Sequence, residues 1–252
     1  MEKSWTIAAE DGAIIHGLLD HSSDEPSDSC VVIVHGLSGY PNEYLHKITA
    51  RFFSMRGYDV LRPALYDEKP DARRLRDCTL ATHAADLSRV LAGPAADYKN
   101  LFLIGHSYGG PTIMIAQPQN ARAVSLLDPS FNLPRLWAML PCHKEGGLVF
   151  DGHGIEHVLN PAMMDEAALY DEAHCLALSR SFKPPIQVIH ADGNQGSDGT
   201  AIYNAPDEVS WHSAGNPANE RHLIAGADHC FCTGTTLDTV LDLTERWFQR
   251  HA

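Results

Sequence analysis

A single α/β domain built on a mostly parallel, eight-stranded sheet is the fold class that these 252 residues predict, and three observations carry it. Continuous apolar, β-branched runs such as Cys30-Val-Val-Ile-Val34 are what strands covered on both faces look like. Helical stretches alternate with those runs, a rhythm that implies right-handed crossovers and helices on both faces of a sheet. At 44% apolar residues, the chain can also bury one large core.

Taken in order, Ser4 to Ala9 and Ala13 to Leu19 are short alternating stretches around Asp11-Gly12. That dipeptide favours a tight hairpin because glycine tolerates positive φ, so the pair reads as an antiparallel sheet edge. After a polar loop the Cys30–Val34 strand ends at His35-Gly36. A helix from Glu43 to Arg56 closes at Gly57, and Asp59-Val-Leu61 is the next strand. Thr79 then caps a second helix that runs to about Leu91. Leu101 to Ile104 is a buried strand, Pro111 sits in the first turn of a further helix, and Ala123 to Leu127 follows as a strand. Two more strands, Ile186 to His190 and Arg221 to Ile224, precede an amphipathic helix from about Thr236 to Arg250.

Between Asp128 and Pro185 the rhythm breaks. Residues 129 to 180 carry Trp137, Met139, Phe150, Met163 and Met164 where one crossover helix would suffice. An insertion this apolar is not a disordered excursion, and long insertions in compact domains are commonly functional. It is expected to lie as a small cap over the carboxyl edge of the sheet, leaving 1–128 and 181–252 as the core.

Bulk properties narrow the function. Net charge is −13, with 19 basic against 32 acidic residues, and no block of Lys and Arg offers a phosphate-binding face, so nucleic acid is not an expected partner. The first twenty residues lack the basic start and apolar run of a secretory signal, and no apolar stretch approaches the length of a membrane span. The six cysteines are scattered, and the one close pair, Cys230 and Cys232, fits neither a zinc nor a thioredoxin spacing. A cytoplasmic protein with free thiols is the expectation.

The chemistry is concentrated in two short segments. Gly105-His106-Ser107-Tyr108-Gly109 matches G-x-S-x-G, follows a buried strand and opens a helix. The flanking glycines suit a turn so tight that a Cβ would collide, and such a turn lifts the serine hydroxyl above the sheet. A serine hydroxyl is a weak nucleophile at neutral pH and needs a base beside it. Of fifteen histidines, His229 is placed for this task, in Gly226-Ala-Asp-His-Cys-Phe231 between the last strand and the last helix. His106 and His35 read as buried neighbours that hold the elbow and the preceding loop, and Asp228 as a residue that stabilises its own loop.

In these residues (His35-Gly36 after the third strand, the elbow around Ser107, and G-A-D-H-C-F before the terminal helix) the chain resembles the α/β-hydrolases over nearly its whole length. Within them it is similar to small bacterial esterases of the feruloyl and cinnamoyl type, through that last segment and the position of the insertion. The resemblance implies an oxyanion hole from the backbone N–H groups of Leu37 and Tyr108. It also implies an acid after the seventh strand, in a text that usually reads H-G-x-x-D. Here the sequence reads His190-Ala-Asp192-Gly-Asn194, which puts Asn194 in the strict register. Asp192 is the preferred acid, with Asp128 at the end of the sixth strand and Asp198 on the same loop as Asp192 remaining open.

The expected activity is therefore carboxylic ester hydrolysis through an acyl-serine, with Ser107, His229 and Asp192 as triad and a small-molecule ester as substrate. A thioesterase, a peptidase of small substrates and a non-catalytic binding protein are the alternatives. Trp137, Phe150 and Met164 are the expected substrate-binding side chains. No cofactor and no metal is required, since Asp151-Gly-His153-Gly154-Ile-Glu156-His157 lacks the H-E-x-x-H spacing and reads as a polar loop.

Overall fold

A computed structural model describes residues 1–23, 27–140, 142–144, 148–152, 155–193 and 208–252, with the backbone alone for 143, 144, 151 and 152. The strands that position the site are β3 (Ser29–Val34), β4 (Asp59–Ala64), β5 (Asn100–His106), β6 (Ala123–Leu127) and β10 (Ile186–Ala191). Every residue of β4, β6 and β10 is buried, as a strand sandwiched between helix layers must be. Alternation along the strands divides the core. Val31 and Ile33 face a cluster with Phe53 and Trp247, whereas Val32 and Val34 face one with Leu87 and Ile113. The first cluster is covered by α1 (Tyr44–Ser54) and α7 (Thr236–His251), the second by α2 (Leu80–Ala92) and α3 (Gly109–Ala116).

With β1 (Glu2–Ala8), β2 (Ile14–Asp20) and β11 (Glu220–Ile224), the sheet order is β1-β2-β4-β3-β5-β6-β10-β11. β2 pairs antiparallel with both β1 and β4, and the remaining pairs are parallel. The expected eight-stranded sheet, its antiparallel edge and its alternating helices are thus present. Trp5 lies opposite Gly17 across the hairpin, and a Cβ on Gly17 would sit 2.1 Å from the indole, so glycine is what lets that ring cross the strand. Thr79 caps α2 as expected, in a reciprocal capping box with Thr82.

Arg62 on β4 shows how the edge is tied to the site. Only 1% exposed, it donates to Asp20 (2.7 Å) and Glu2 (2.6 Å) in the hairpin, and to the Pro41 carbonyl (2.8 Å) and Asn42 side chain (3.0 Å) of the loop before α1. A buried guanidinium is tolerated because each of these acceptors is fixed, and removing one partner of such a network typically costs about 3–5 kcal/mol.

Between β6 and β10 the chain forms α4 (Leu133–Met139), a separate sheet of β7 (Cys142–Lys144), β8 (Leu148–Gly152) and β9 (Ile155–Leu159), then α5 (Pro161–Ala167) and α6 (Glu172–Ser181). These elements share a third cluster in which Leu136, Phe150 and Met163 meet Leu80 and Tyr108 of the main body. The last of them, α6, is different. Its Cys175 belongs to the main core beside Trp211 and Phe182, so the helix closes the regular α/β rhythm although it falls within the 129–180 stretch. Among the described residues no helix is long and apolar enough to cross a membrane, and all six cysteines are free thiols.

Candidate active site

β5 runs straight into the elbow. Ser107 has φ +53°, a left-handed conformation that costs a non-glycine residue on the order of 1–3 kcal/mol and persists only where neighbours dictate it. Its N–H donates to the Leu127 carbonyl (3.0 Å), and its own carbonyl accepts from Gly110 N (3.0 Å) and Ser130 N (3.0 Å). The glycine spacing has a direct steric cause. A Cβ on Gly109 would fall 2.2 Å from the Val34 carbonyl oxygen, and one on Gly105 would fall 2.7 Å from Ile113 Cδ1 and 2.9 Å from the Gly109 carbonyl oxygen. Gly36 is equally constrained, because its Cβ would lie 2.9 Å from Ser107 Cβ. The loop after β3 can therefore pass close against the serine.

Ser107 and His229 line one cavity of about 270 Å³ with Gly36, Leu37, Tyr108 and Ser130. Leu37 and Tyr108, whose N–H groups are expected to bind an oxyanion, line it, and neither N–H donates to a backbone or side-chain acceptor among the described residues. His35 holds this loop as anticipated. Its Nδ1–H donates to the Gly36 carbonyl (2.9 Å) and its Nε2 accepts from Leu65 N (3.1 Å), while burial pulls its pKa down to about 4.

The acid requires a correction. His229 Nδ1–H donates to Asp128 Oδ2 at 2.6 Å, and Asp192 is not the residue beside it. Asp128 is fully buried at the end of β6, with φ +41°. Its Oδ1 accepts from Ala191 N (3.1 Å), and His190 Nδ1 stands 3.7 Å away. Burial alone would raise the carboxyl's pKa, but the His190 and His229 imidazoles and the Ala191 N–H outweigh it and hold the group well below the usual carboxylate range. Asp192 has an exposed side chain on the turn after β10, where its N–H donates to the Ile224 carbonyl (3.1 Å). Asn194 and Asp198 lie outside the described residues.

Two neighbours of His229 hold its loop. His106 Nε2–H donates to the His229 carbonyl (2.8 Å), with the two rings 4.7 Å apart. Asp228 accepts from the N–H groups of Cys230 (2.9 Å) and Cys232 (3.0 Å) and from the Thr233 hydroxyl, the loop-stabilising role expected of it.

Of the three expected substrate-binding side chains, Phe150 lines the cavity, together with Leu136, Leu140 and Ile155. Trp137 does not. It is buried and donates through Nε1 to the Tyr108 hydroxyl (3.2 Å), fastening α4 to the residue after Ser107. Met164 packs instead against the third cluster. Of the polar 151–157 stretch, His157 lines the cavity and Glu156 is exposed, while 153 and 154 lie outside the described residues.

Sequence reasoning missed Glu43, which it treated only as the start of a helix. Its side chain lines the cavity, and its carboxyl is pushed up to about 7, chiefly by burial. Glu43 Oε2 stands 3.3 Å from His46 Nδ1, and Glu43, His46 and His106 each bring a possible ligand atom within 4.8 Å of the others. A helix-start glutamate carries no local signal that it will face a pocket. That depends on where the loop Gly36–Asn42 lays it down.

The chain is similar to several solved structures along nearly their whole length. One is the esterase domain of a Rhodothermus marinus protein (18% identity, TM-score 0.73, covering 100% of this chain and 99% of that one). Another is Est1E from Butyrivibrio proteoclasticus with ferulic acid bound (18%, 0.75, 98% and 98%). A third is a dienelactone hydrolase from Anabaena variabilis (14%, 0.67, 100% and 98%). At such identities the likeness is one of fold. No curated protein sequence matches the chain. The sequence model of the alpha/beta hydrolase family matches residues 31–252, a span that takes in the elbow, Asp128 and His229, and the chain belongs to that family.

Proposed function

We propose that this protein is a serine esterase that hydrolyses small carboxylic esters through an acyl-serine intermediate, with Ser107 as nucleophile, His229 as general base and Asp128 as the acid of the triad. The observation that carries the reading is the 2.6 Å hydrogen bond from His229 Nδ1 to the buried Asp128, with His229 lining the same cavity as the strained Ser107. Because the carboxylate accepts from Nδ1–H, Nε2 carries the lone pair and can take the hydroxyl proton as Ser107 attacks the ester carbonyl. The tetrahedral oxygen gains a negative charge, to which the Leu37 and Tyr108 N–H groups donate hydrogen bonds, a contribution of about 3–4 kcal/mol per donor. His229 then returns its proton to the leaving alkoxide, and a water activated by the same base splits the acyl-serine.

The elements from α4 to α5 act as the cap. Leu136, Leu140, Phe150 and Ile155 give the cavity an apolar wall suited to an aromatic or short aliphatic acyl group. Six free thiols suit a reducing compartment such as the cytoplasm. The test is labelling with a fluorophosphonate followed by turnover of matched nitrophenyl ester, thioester and anilide substrates. Labelling of Ser107 with ester turnover fastest is the expected result. Absence of labelling in folded protein would remove the serine mechanism.

A further inference from the structure

Glu43 and His106 line the cavity and converge there with His46, and the mechanism uses none of their free donor atoms. Both histidines are buried, at 1% and 5% exposure, with their ring centres 5.8 Å apart. Their protons are assigned by their partners. His46 Nδ1 faces the Tyr40 carbonyl (3.1 Å) and His106 Nε2 faces the His229 carbonyl (2.8 Å). A carbonyl can only accept, so each of those nitrogens carries the hydrogen. The opposite nitrogens, His46 Nε2 and His106 Nδ1, therefore present lone pairs, and both are buried without a hydrogen-bond partner. Buried acceptors left empty are uncommon, and two of them beside a carboxylate form a ligand set rather than a packing accident.

We propose that Glu43, His46 Nε2 and His106 Nδ1 bind a zinc-class divalent cation. Two neutral imidazoles and one carboxylate are the donor types that a borderline-soft ion of this class takes, and Glu43 opens onto the 270 Å³ cavity, which gives the ion an entry path. One possible ligand atom from each of the three residues already lies within 4.8 Å of the others, and the side chains adjust around the ion from there. A bound cation lies next to the base, since the His106 ring is 4.7 Å from that of His229. Its charge opposes the imidazolium that forms during attack, so occupancy inhibits hydrolysis. This inhibitory half rests on the serine esterase reading, whereas binding does not.

The test separates the two. Zinc alone is titrated into the full chain against a chromophoric chelator, without substrate. One tight equivalent is expected, weakened at least a hundredfold in both His46→Gln and Glu43→Gln once their thermal melts confirm folding. Cobalt(II) in the same site is expected to show the visible absorption of a nitrogen and oxygen donor set without a thiolate charge-transfer band. No tight equivalent, an equivalent that survives both substitutions, or a thiolate band from Cys230 or Cys232 overturns the site. Ester turnover by the wild type is expected to fall at least tenfold at saturating zinc and to recover with chelator. Unchanged turnover with the site occupied overturns the inhibitory half. Fluorophosphonate labelling of the zinc-free protein reports separately on Ser107.

Discussion

β6 and β10 lie side by side, with Leu127 opposite Ile189, and each strand delivers an aspartate at its carboxyl end. The two aspartates have opposite fates. Asp128 is fully buried, receives the Ala191 N–H and the His229 imidazole, and sits in a left-handed backbone conformation. Asp192 is exposed, and the chain around it is drawn toward β11. Asp192 N donates to the Ile224 carbonyl and Gly193 N to the Ala227 carbonyl (2.8 Å), with so little room that a Cβ on Gly193 would fall 2.8 Å from that oxygen. Asp128 thus has one oxygen held by a backbone N–H and the other held by the His229 imidazole, which is the setting the proposed triad acid needs.

The largest effect expected is common to both strand ends. Ser107→Ala removes the nucleophile whichever aspartate serves the base, and turnover of nitrophenyl esters should fall by about 10⁶-fold while the melting temperature is kept. Activity near wild type would make the comparison of acids irrelevant. Asp128→Asn then separates the two ends. It keeps size but lets His229 adopt the wrong tautomer, so kcat should fall by about 10⁴-fold, whereas Asp192→Asn should change kcat by less than about threefold. The reverse pattern would return the acid to β10.

A smaller contrast lies in the cap, between a residue that lines the cavity and one that packs beneath it. Phe150→Ala should change the preference between a bulky aromatic and an acetyl ester by roughly 10–100-fold, as lost apolar contacts in a pocket do. Trp137→Phe should leave that preference nearly unchanged and lower stability by about 1 kcal/mol, since it removes one buried hydrogen bond to Tyr108. Equal shifts in preference would mean that α4 and β8 form a single wall.

The smallest effect concerns acid stability. Burial, which opposes the lowered pKa of Asp128, is what lowers those of the buried histidines His35 and His83, to about 4 and about 3 from an ordinary 6.5. The unfolded chain binds more protons than the fold between those values, so their stabilisation is complete above pH 6.5 and is lost as pH falls through that window. Melting temperature should decline from pH 6.5 toward pH 4, with a shallower slope in His83→Phe, which retains the ring that stacks on Tyr66. An unchanged slope in that variant would assign the acid loss to other groups.

Much of this architecture is legible in one dimension because its causes are local. The runs at Cys30–Val34 and Leu101–Ile104 announce buried strands, and the elbow announces itself because two glycines bracket a serine whose backbone allows no Cβ there. His229 is legible by its place between the last strand and the last helix. What failed was of another kind. Trp137 and Phe150 are both large and apolar and lie thirteen positions apart, yet one is turned to Tyr108 and the other to the cavity, a choice made by how α4 and β8 pack. Glu43 was hidden for the same reason.

The amino-acid sequence by itself determined the sheet, the strained turn at Ser107 and the position of His229, since hydrophobic periodicity and steric demand act over a few residues. Only the tertiary structure decided which carboxylate meets that histidine. Asp128 and His229 are 101 residues apart in the chain, and their 2.6 Å contact exists because β10 lies against β6 and supplies the N–H that anchors one oxygen, leaving the other for the imidazole. A sum of burial, register and hydrogen bonding across three segments has no signature in any one of them.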